Sequence, residues 1–379
     1  MTSDPVTTLL SDLVRIPSVN PMGRNVSGPE YGEAALADHC AAFLRKHGVD
    51  VQITEVAPGR PNVMAYVDAG APRTIMLQAH LDTVHAGAMT VPPFAAEIRE
   101  GCLYGRGACD TKGSLAAELQ AIVEALRTPG RLRYNVLFLA TADEEYQFTG
   151  ARAAVRAGLT ADFGIAGEPT SLHIIRTHKG VVRWRVRTSG VAAHAALPAR
   201  GENAIYRMGH VITRLEAYAR GLASGPSHPH LGNASLNVGV IEGGQAVNMV
   251  PDRCTIEIDR RTLPQEEPDG VIAAVAACLQ GLDGWTMDPP HLVAEGMDVP
   301  EDAGVVRDLA DAVTATTGSV TVEGAYYATD AGAFNAAGIP TVVFGPGDIA
   351  LAHTAAEHIP LAELRQATDI IRSLIGGPR

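Results

Sequence analysis

Cysteine is scarce and unpaired in this sequence. Its five residues (Cys40, Cys102, Cys109, Cys254 and Cys278) are odd in number, scattered and free of any CxxC spacing. That excludes a disulfide framework and fits reduced thiols in a reducing compartment. Basic runs are missing too: 30 Lys and Arg stand against 42 Asp and Glu, for a net charge of −12. An acidic surface without a cluster of cations argues against nucleic acid or an anionic membrane as the main partner. No stretch reaches the roughly 18 apolar residues of a membrane span. The opening MTSDPVTTLLSDLVRIPSVNP has no basic segment followed by an apolar one, so a cytoplasmic protein is expected.

What is present is ordinary globular material, 46% hydrophobic and 19% charged. At 379 residues the chain exceeds the size at which one core stops growing, so two domains are expected. Four apolar runs end in polar residues: TIMLQAHLD (74–82), YNVLFLATADEE (134–145), DFGIAGEP (162–169) and IPTVVFGPG (339–347). Continuous apolar strands suit a sheet covered on both faces. Helical patterns at 32–48 and 114–126 supply the cover, and the fold expected is α/β, a central sheet with helices on both faces. In such sheets ligands collect at the carboxyl ends of the strands.

The middle of the chain differs. VVRWRVRTS (181–189) alternates apolar and charged residues, as a strand with one solvated face does. A helix at 202–220, strands at 234–242 and 254–262, a helix at 267–281 and a last strand near 285–296 complete the split βαβ pattern of an α+β, ferredoxin-like domain. The expected organisation is therefore an inserted domain at 177–290 within a discontinuous domain of residues 1–176 and 291–379.

The strand ends carry the chemistry. In AHLDTV, His80 and Asp82 lie two apart and share a face, so one can bind a metal while the other fixes its tautomer; a satisfied polar pair is the plain alternative. GRGACDTKGS presents Asp110 just before a helix, and one carboxylate can bridge two cations. That segment matches neither the P-loop nor the dinucleotide fingerprint. Cys109 beside it reads as a packing residue. Asp143, Glu144 and Glu145 follow eight mostly apolar residues. Buried acids are costly unless paired or metal-bound, though a solvated loop after the strand is the alternative. Glu168 ends another apolar run, and His353 lies four residues before Glu357, within reach on a helical turn. Together these offer an oxygen and nitrogen donor set suited to zinc, manganese or cobalt.

These motifs, in this order, make the sequence strongly resemble the metallopeptidase family of acetylornithine deacetylase, succinyl-diaminopimelate desuccinylase, aminoacylase and bacterial glutamate carboxypeptidase. The resemblance runs through HLDTV (80–84), GRGACDTKG (105–113), ATADEE (140–145), GEPT (167–170), HAALP…GENAI (194–205), DRRTLP (259–264) and AHTAAE (352–357). Thr111 and Ala356 depart from the usual pattern without touching the chemistry.

The resemblance implies a di-zinc peptidase-like catalytic domain, with the inserted domain serving as a lid and in homodimerisation. It implies two divalent metal ions, zinc first, with His80 and Glu168 on one, Glu145 and His353 on the other, Asp110 bridging and Asp82 supporting His80. Glu144 would be the general base, and His194 would stabilise the oxyanion from a neighbouring subunit. Arg261, Asn248 and the backbone of Gly345 and Gly347 would hold the carboxylate of a small-molecule substrate, with Arg260 facing away. The implied reaction is hydrolysis of an N-acyl amino acid. A dipeptidase or carboxypeptidase using the same metals is the alternative.

Overall fold

The computed structural model describes residues 4–127 and 132–376. The chain forms two compact units. One runs through Arg176 and takes in Val299–Glu323 and the segment from Thr329 onward, and the other comprises Thr177–Asp298 with Gly324–Ala328.

The first unit is built on a mixed sheet. Its strands are β1 (Val51–Ala57), β2 (Arg60–Val67), β3 (Thr74–His80), β4 (Asn135–Thr141), β5 (Phe163–Ala166), β6 (Ile174–His178) and, late in the chain, β11 (Thr341–Val343), in spatial order β1-β2-β4-β3-β5-β11-β6. The centre is parallel: β4 and β5 flank β3, with His80 opposite Thr141 and Gln78 opposite Ala166. The carboxyl ends of three central strands therefore meet along one edge.

Alternation along these strands divides the apolar side chains between two cores. Ile75, Leu77, Ala79, Val136, Phe138 and Ala140 pack with helices α1 (Pro5–Arg15), α2 (Ala34–Lys46), α3 (Lys112–Leu126), Gly304–Thr317 and Leu361–Ile375. Met76, Leu137 and Leu139 point the other way, onto Ala151 and Phe334 of shorter helices. Both faces are covered, which is why these strands read as unbroken apolar runs. Helix α3 is buried almost along its whole length, its polar Lys112, Ser114, Glu118 and Gln120 included. Its first residue, Lys112, is buried and donates to the carbonyls of Leu13 and Ile16 at the end of α1, satisfying a helix C-terminus.

The second unit follows β-α-β-β-α-β order. Strands β7 (Gly180–Ser189), β8 (Ser235–Gly243), β9 (Arg253–Thr262) and β10 (Trp285–Met287) form an antiparallel sheet ordered β8-β9-β7-β10. Helices Ala204–Ala223 and Pro268–Cys278 cover one face, where Val182, Trp184 and Val186 meet Ile256, Ile258, Met208 and Val211. The other face carries cross-strand pairs such as Arg183 with Asp259 and Arg185 with Glu257. The last strand is not continuous. Trp285–Met287 and Leu292–Ala294 pair separately with β7, interrupted at Pro289 and Pro290, which lack the N–H a ladder needs. The unit accordingly extends to Asp298 and not to 290, because Leu292–Ala294 still belongs to its sheet.

Candidate metal centre

His80 ends β3 with its ring buried. Its Nδ1 lies 2.9 Å from the carbonyl oxygen of Asp82, so the proton sits there and Nε2 keeps its lone pair for a cation. That Nε2 faces Asp110 Oδ1 at 2.9 Å and Glu168 Oε1 at 3.7 Å. Asp82 has a second task. Its carboxylate accepts from the side chain of Asn20 at 2.7 Å and from the backbone N–H groups of Glu144 and Glu145, each at 3.1 Å. One acid thus fixes both the histidine and the acidic turn.

Asp110 lies at the tip of the Gly-rich loop before α3. Glu357 accepts from the N–H groups of Cys109 and Asp110, each at 3.0 Å, and is paired with the buried Arg106. Thr111 donates to the carbonyl of Gly167 at 2.6 Å, tying this loop to the strand end that carries Glu168. The expected link between His353 and Glu357 along a helical turn is not what forms. Residues 353–357 are a non-helical turn with His353 at φ +62°, and Glu357 turns inward to the Asp110 loop instead.

The outcome is two donor sets sharing one residue. His80, Asp110 and Glu168 have ligand atoms within 4.8 Å of one another, as do Asp110, Glu145 and His353. Asp110 Oδ2 is 3.2 Å from His353 Nε2, which lies 3.1 Å from Glu145 Oε1. Each Asp110 oxygen faces a different set, the disposition a bridging carboxylate requires.

Beyond Thr141 the chain leaves the sheet, and Asp143 takes φ +68°. Its carboxylate turns away from the donor sets to Arg60, Asn20 and Thr149. Arg60 also grips the buried Glu33. Sequence reading missed this trio of Asn20, Glu33 and Arg60. The only local signal was an arginine opening the apolar strand RPNVMAYV. Glu144 is different again: its carboxylate is nearly buried and accepts no hydrogen bond among the described residues.

Charge balance bears on what the site can hold. Burial, then the neighbouring Glu168 charge, pushes Glu144 well above the usual carboxylate range. Burial lifts Glu168 likewise, and Glu145 to about 7 with help from Asp110. Hydrogen bonds to Asp110 and Glu145 raise His353 to about 10. Asp110, Glu144, Glu145 and Glu168 converge on the imidazoles of His80 and His353, and two divalent cations would balance those charges. The donors fit that role.

The remaining expected residues lie elsewhere. His194 pairs with Met249 on a short two-stranded ladder in the second unit. It is exposed, with Nδ1 accepting from the N–H of Ala196. Asn248 is its neighbour, its carbonyl accepting from the N–H of Ala195. Arg261 lies on β9 with Nε on Asp259, whereas Arg260 is buried on the opposite face against Glu266. The amides of Gly345 and Gly347 are already committed, to Thr170 Oγ1 at 3.1 Å and Glu363 Oε2 at 2.9 Å. Both N–H groups are thus engaged within the chain itself. Cys109 is buried in packing, as expected.

A mixed sheet whose strand ends gather two carboxylate and histidine donor sets around a shared aspartate is the arrangement of a metal-dependent hydrolase. The chain belongs to peptidase family M20/M25/M40, whose model matches residues 76–376. It is similar to acetylornithine deacetylase of Myxococcus xanthus, 35% identical over 349 residues, with 87% of this chain and 88% of the relative covered. Succinyl-diaminopimelate desuccinylase of Gluconacetobacter diazotrophicus is 30% identical over 399 residues, covering 98% and 97%. Among solved structures, an M20 family metallo-carboxypeptidase from Sulfolobus solfataricus matches with TM-score 0.80 at 20% identity, covering 98% of each chain. A dinuclear metal-binding M20 peptidase from Bacillus subtilis matches with TM-score 0.71 at 17% identity, covering 98% of this chain and 96% of that one. Among the described residues no helix is long and apolar enough to cross a membrane.

Proposed function

We propose that the chain hydrolyses the amide bond of an N-acyl amino acid, releasing a carboxylate and a free amino acid. The observation that carries this reading is Asp110, with one oxygen toward each donor set. His80, Asp110 and Glu168 would hold one cation, and Asp110, Glu145 and His353 the other. Zinc is the first choice, and cobalt or manganese suits the same donors. When bound, such a pair supplies Lewis acidity and a water acidified from about 15.7 toward 7.

Glu144 has no hydrogen-bond duty among the described residues. It takes the proton of the attacking water and returns it to the departing amine as the C–N bond breaks. Asp82 holds Glu144 in place through its N–H and keeps His80 in the metal-binding tautomer. His194 donates to the developing oxyanion, reaching in from a second copy of the chain. Support for that assembly comes from the second unit alone: Tyr206, Val240, Ile241 and Met249 are exposed apolar residues there, and β8 is an edge strand. Arg261 and Asn248 hold the substrate carboxylate.

The relatives at 30% identity or more carry deacylase names, whereas the two solved peptidase structures named above are 20% identical or less, and this favours deacylation over peptide cleavage. A panel of N-acetyl amino acids and dipeptides, assayed by amine release from protein reconstituted with zinc, tests the choice. Turnover of the acetylated substrates, abolished by a chelator, is expected. Cleavage confined to dipeptides would transfer the assignment to a peptidase.

A further inference from the structure

Asn20 is fully buried on the segment that leads out of α1. Its backbone is fixed first: the N–H donates to the carbonyl of Thr83 at 2.8 Å, and Val19 before it is bridged to both Thr83 and Tyr31. The side-chain oxygen accepts the N–H of Met22 at 2.8 Å, so the NH2 end of the amide must face the other way. There it meets two carboxylates, Asp82 Oδ2 at 2.7 Å and Asp143 Oδ1 at 3.0 Å. An amide nitrogen carries two N–H donors, and both are spent on these acids.

Arg60 and Asn20 divide the work of holding the two acids. Arg60 supplies the charge, pairing with Glu33 and, at 2.6 Å, with Asp143. It stands 3.9 Å from Asp82, beyond hydrogen-bond reach, so on that side Asp82 is held by Asn20. The consequence falls on the acidic turn. Asp82 Oδ1 accepts the N–H of Glu144 and Oδ2 that of Glu145, so rotation of this carboxylate would disturb both N–H groups at once. Asp143, the residue before them, is at φ +68°, a conformation that a non-glycine residue keeps only where its surroundings impose it. The turn from Asp143 to Glu145 is thus referenced to one amide.

We propose that Asn20 is a positioning residue for the base: it orients the Asp82 carboxylate, and through it the turn that presents Glu144, without touching substrate or metal. The inference rests on the role of Glu144 in the proposed hydrolysis. A displacement of about 1 Å at a reacting group can cost about a hundredfold in rate, so the effect belongs in kcat.

The test variant is Asn20→Ala, loaded with zinc and assayed on the N-acetyl amino acid that the wild type turns over fastest. It is expected to lose about tenfold or more in kcat, with KM within about twofold of wild type and metal content unchanged. Hydrogen exchange read by mass spectrometry needs no substrate: the amides of Glu144 and Glu145 should exchange about tenfold faster in the zinc-loaded variant, while those of β4 keep their protection. Thr149→Val is the control. It removes a hydrogen bond to Asp143 and none to Asp82, and should leave kcat and the exchange of Glu144 and Glu145 at wild-type values. Should Asn20→Ala not fold, Asn20→Ser, which keeps one donor, carries the same readings. Unchanged kcat in the folded variant, loss of zinc, or protection lost throughout β4 overturns the proposal. If the wild type turns over no N-acetyl amino acid while exchange at Glu144 and Glu145 still depends on Asn20, the deacylase reading falls and the hold of Asn20 on the turn stands.

Discussion

Glu144 and Glu145 are neighbours in sequence and differ in every respect that matters to catalysis. Both backbone N–H groups donate to the Asp82 carboxylate, so one acid sets the position of both. Their side chains then diverge, Glu145 to His353 at 3.1 Å and Glu144 to no described donor. A group that serves as base must be free to accept a proton, and one that binds metal must be committed. Glu144→Gln is therefore expected to keep both metals, measured by elemental analysis, and to lose roughly a thousandfold in kcat. Glu145→Gln should instead lose metal from the set it shares with His353. Full activity in Glu144→Gln with both metals bound would remove it from the role of base.

At the scale of elements, what was legible in the sequence is what periodicity encodes. β3, β4 and β5 are apolar on both faces because helices cover both, and their polar ends stand out against those runs. Contacts between distant segments leave no such mark. Asn20 reaches Asp82 across 62 positions and Asp143 across 123, and Glu357 reaches Cys109 across 248. The last strand of the second unit was misjudged in continuity for a local reason, the Pro289–Pro290 break. Arg60 is the residue on which the unread network turns, joining the start of β2 to Glu33 ahead of α2 and to Asp143 after β4. Removing a cation from among buried acids leaves them uncompensated, so Arg60→Met should destabilise the chain by about 3–5 kcal/mol. Adding Glu33→Gln should recover part of that loss, because one uncompensated charge goes with it. Urea unfolding of the single and double variants measures both. An additive double variant would mean that Arg60 and Glu33 do not act as a pair.

For the whole molecule, the question is whether one chain holds a complete site. The metal donors and Glu144 all lie in the first unit, while His194, Asn248 and Arg261 lie in the second. The second unit also presents an edge strand and exposed apolar residues, which is where the proposed pairing of two copies would form. If His194 is supplied by the partner, two inactive variants must repair each other. In a mixed dimer of Glu144→Gln and His194→Ala chains, one site carries both defects and the other carries neither. Random exchange makes half the dimers mixed, each with one intact site of two, so activity should return to about a quarter of the wild-type value. If His194 serves its own chain, every site in the mixture retains one defect and no activity returns. Co-unfolding and refolding the two variants with zinc, followed by assay against each variant refolded alone, separates the two arrangements without needing to know the natural substrate.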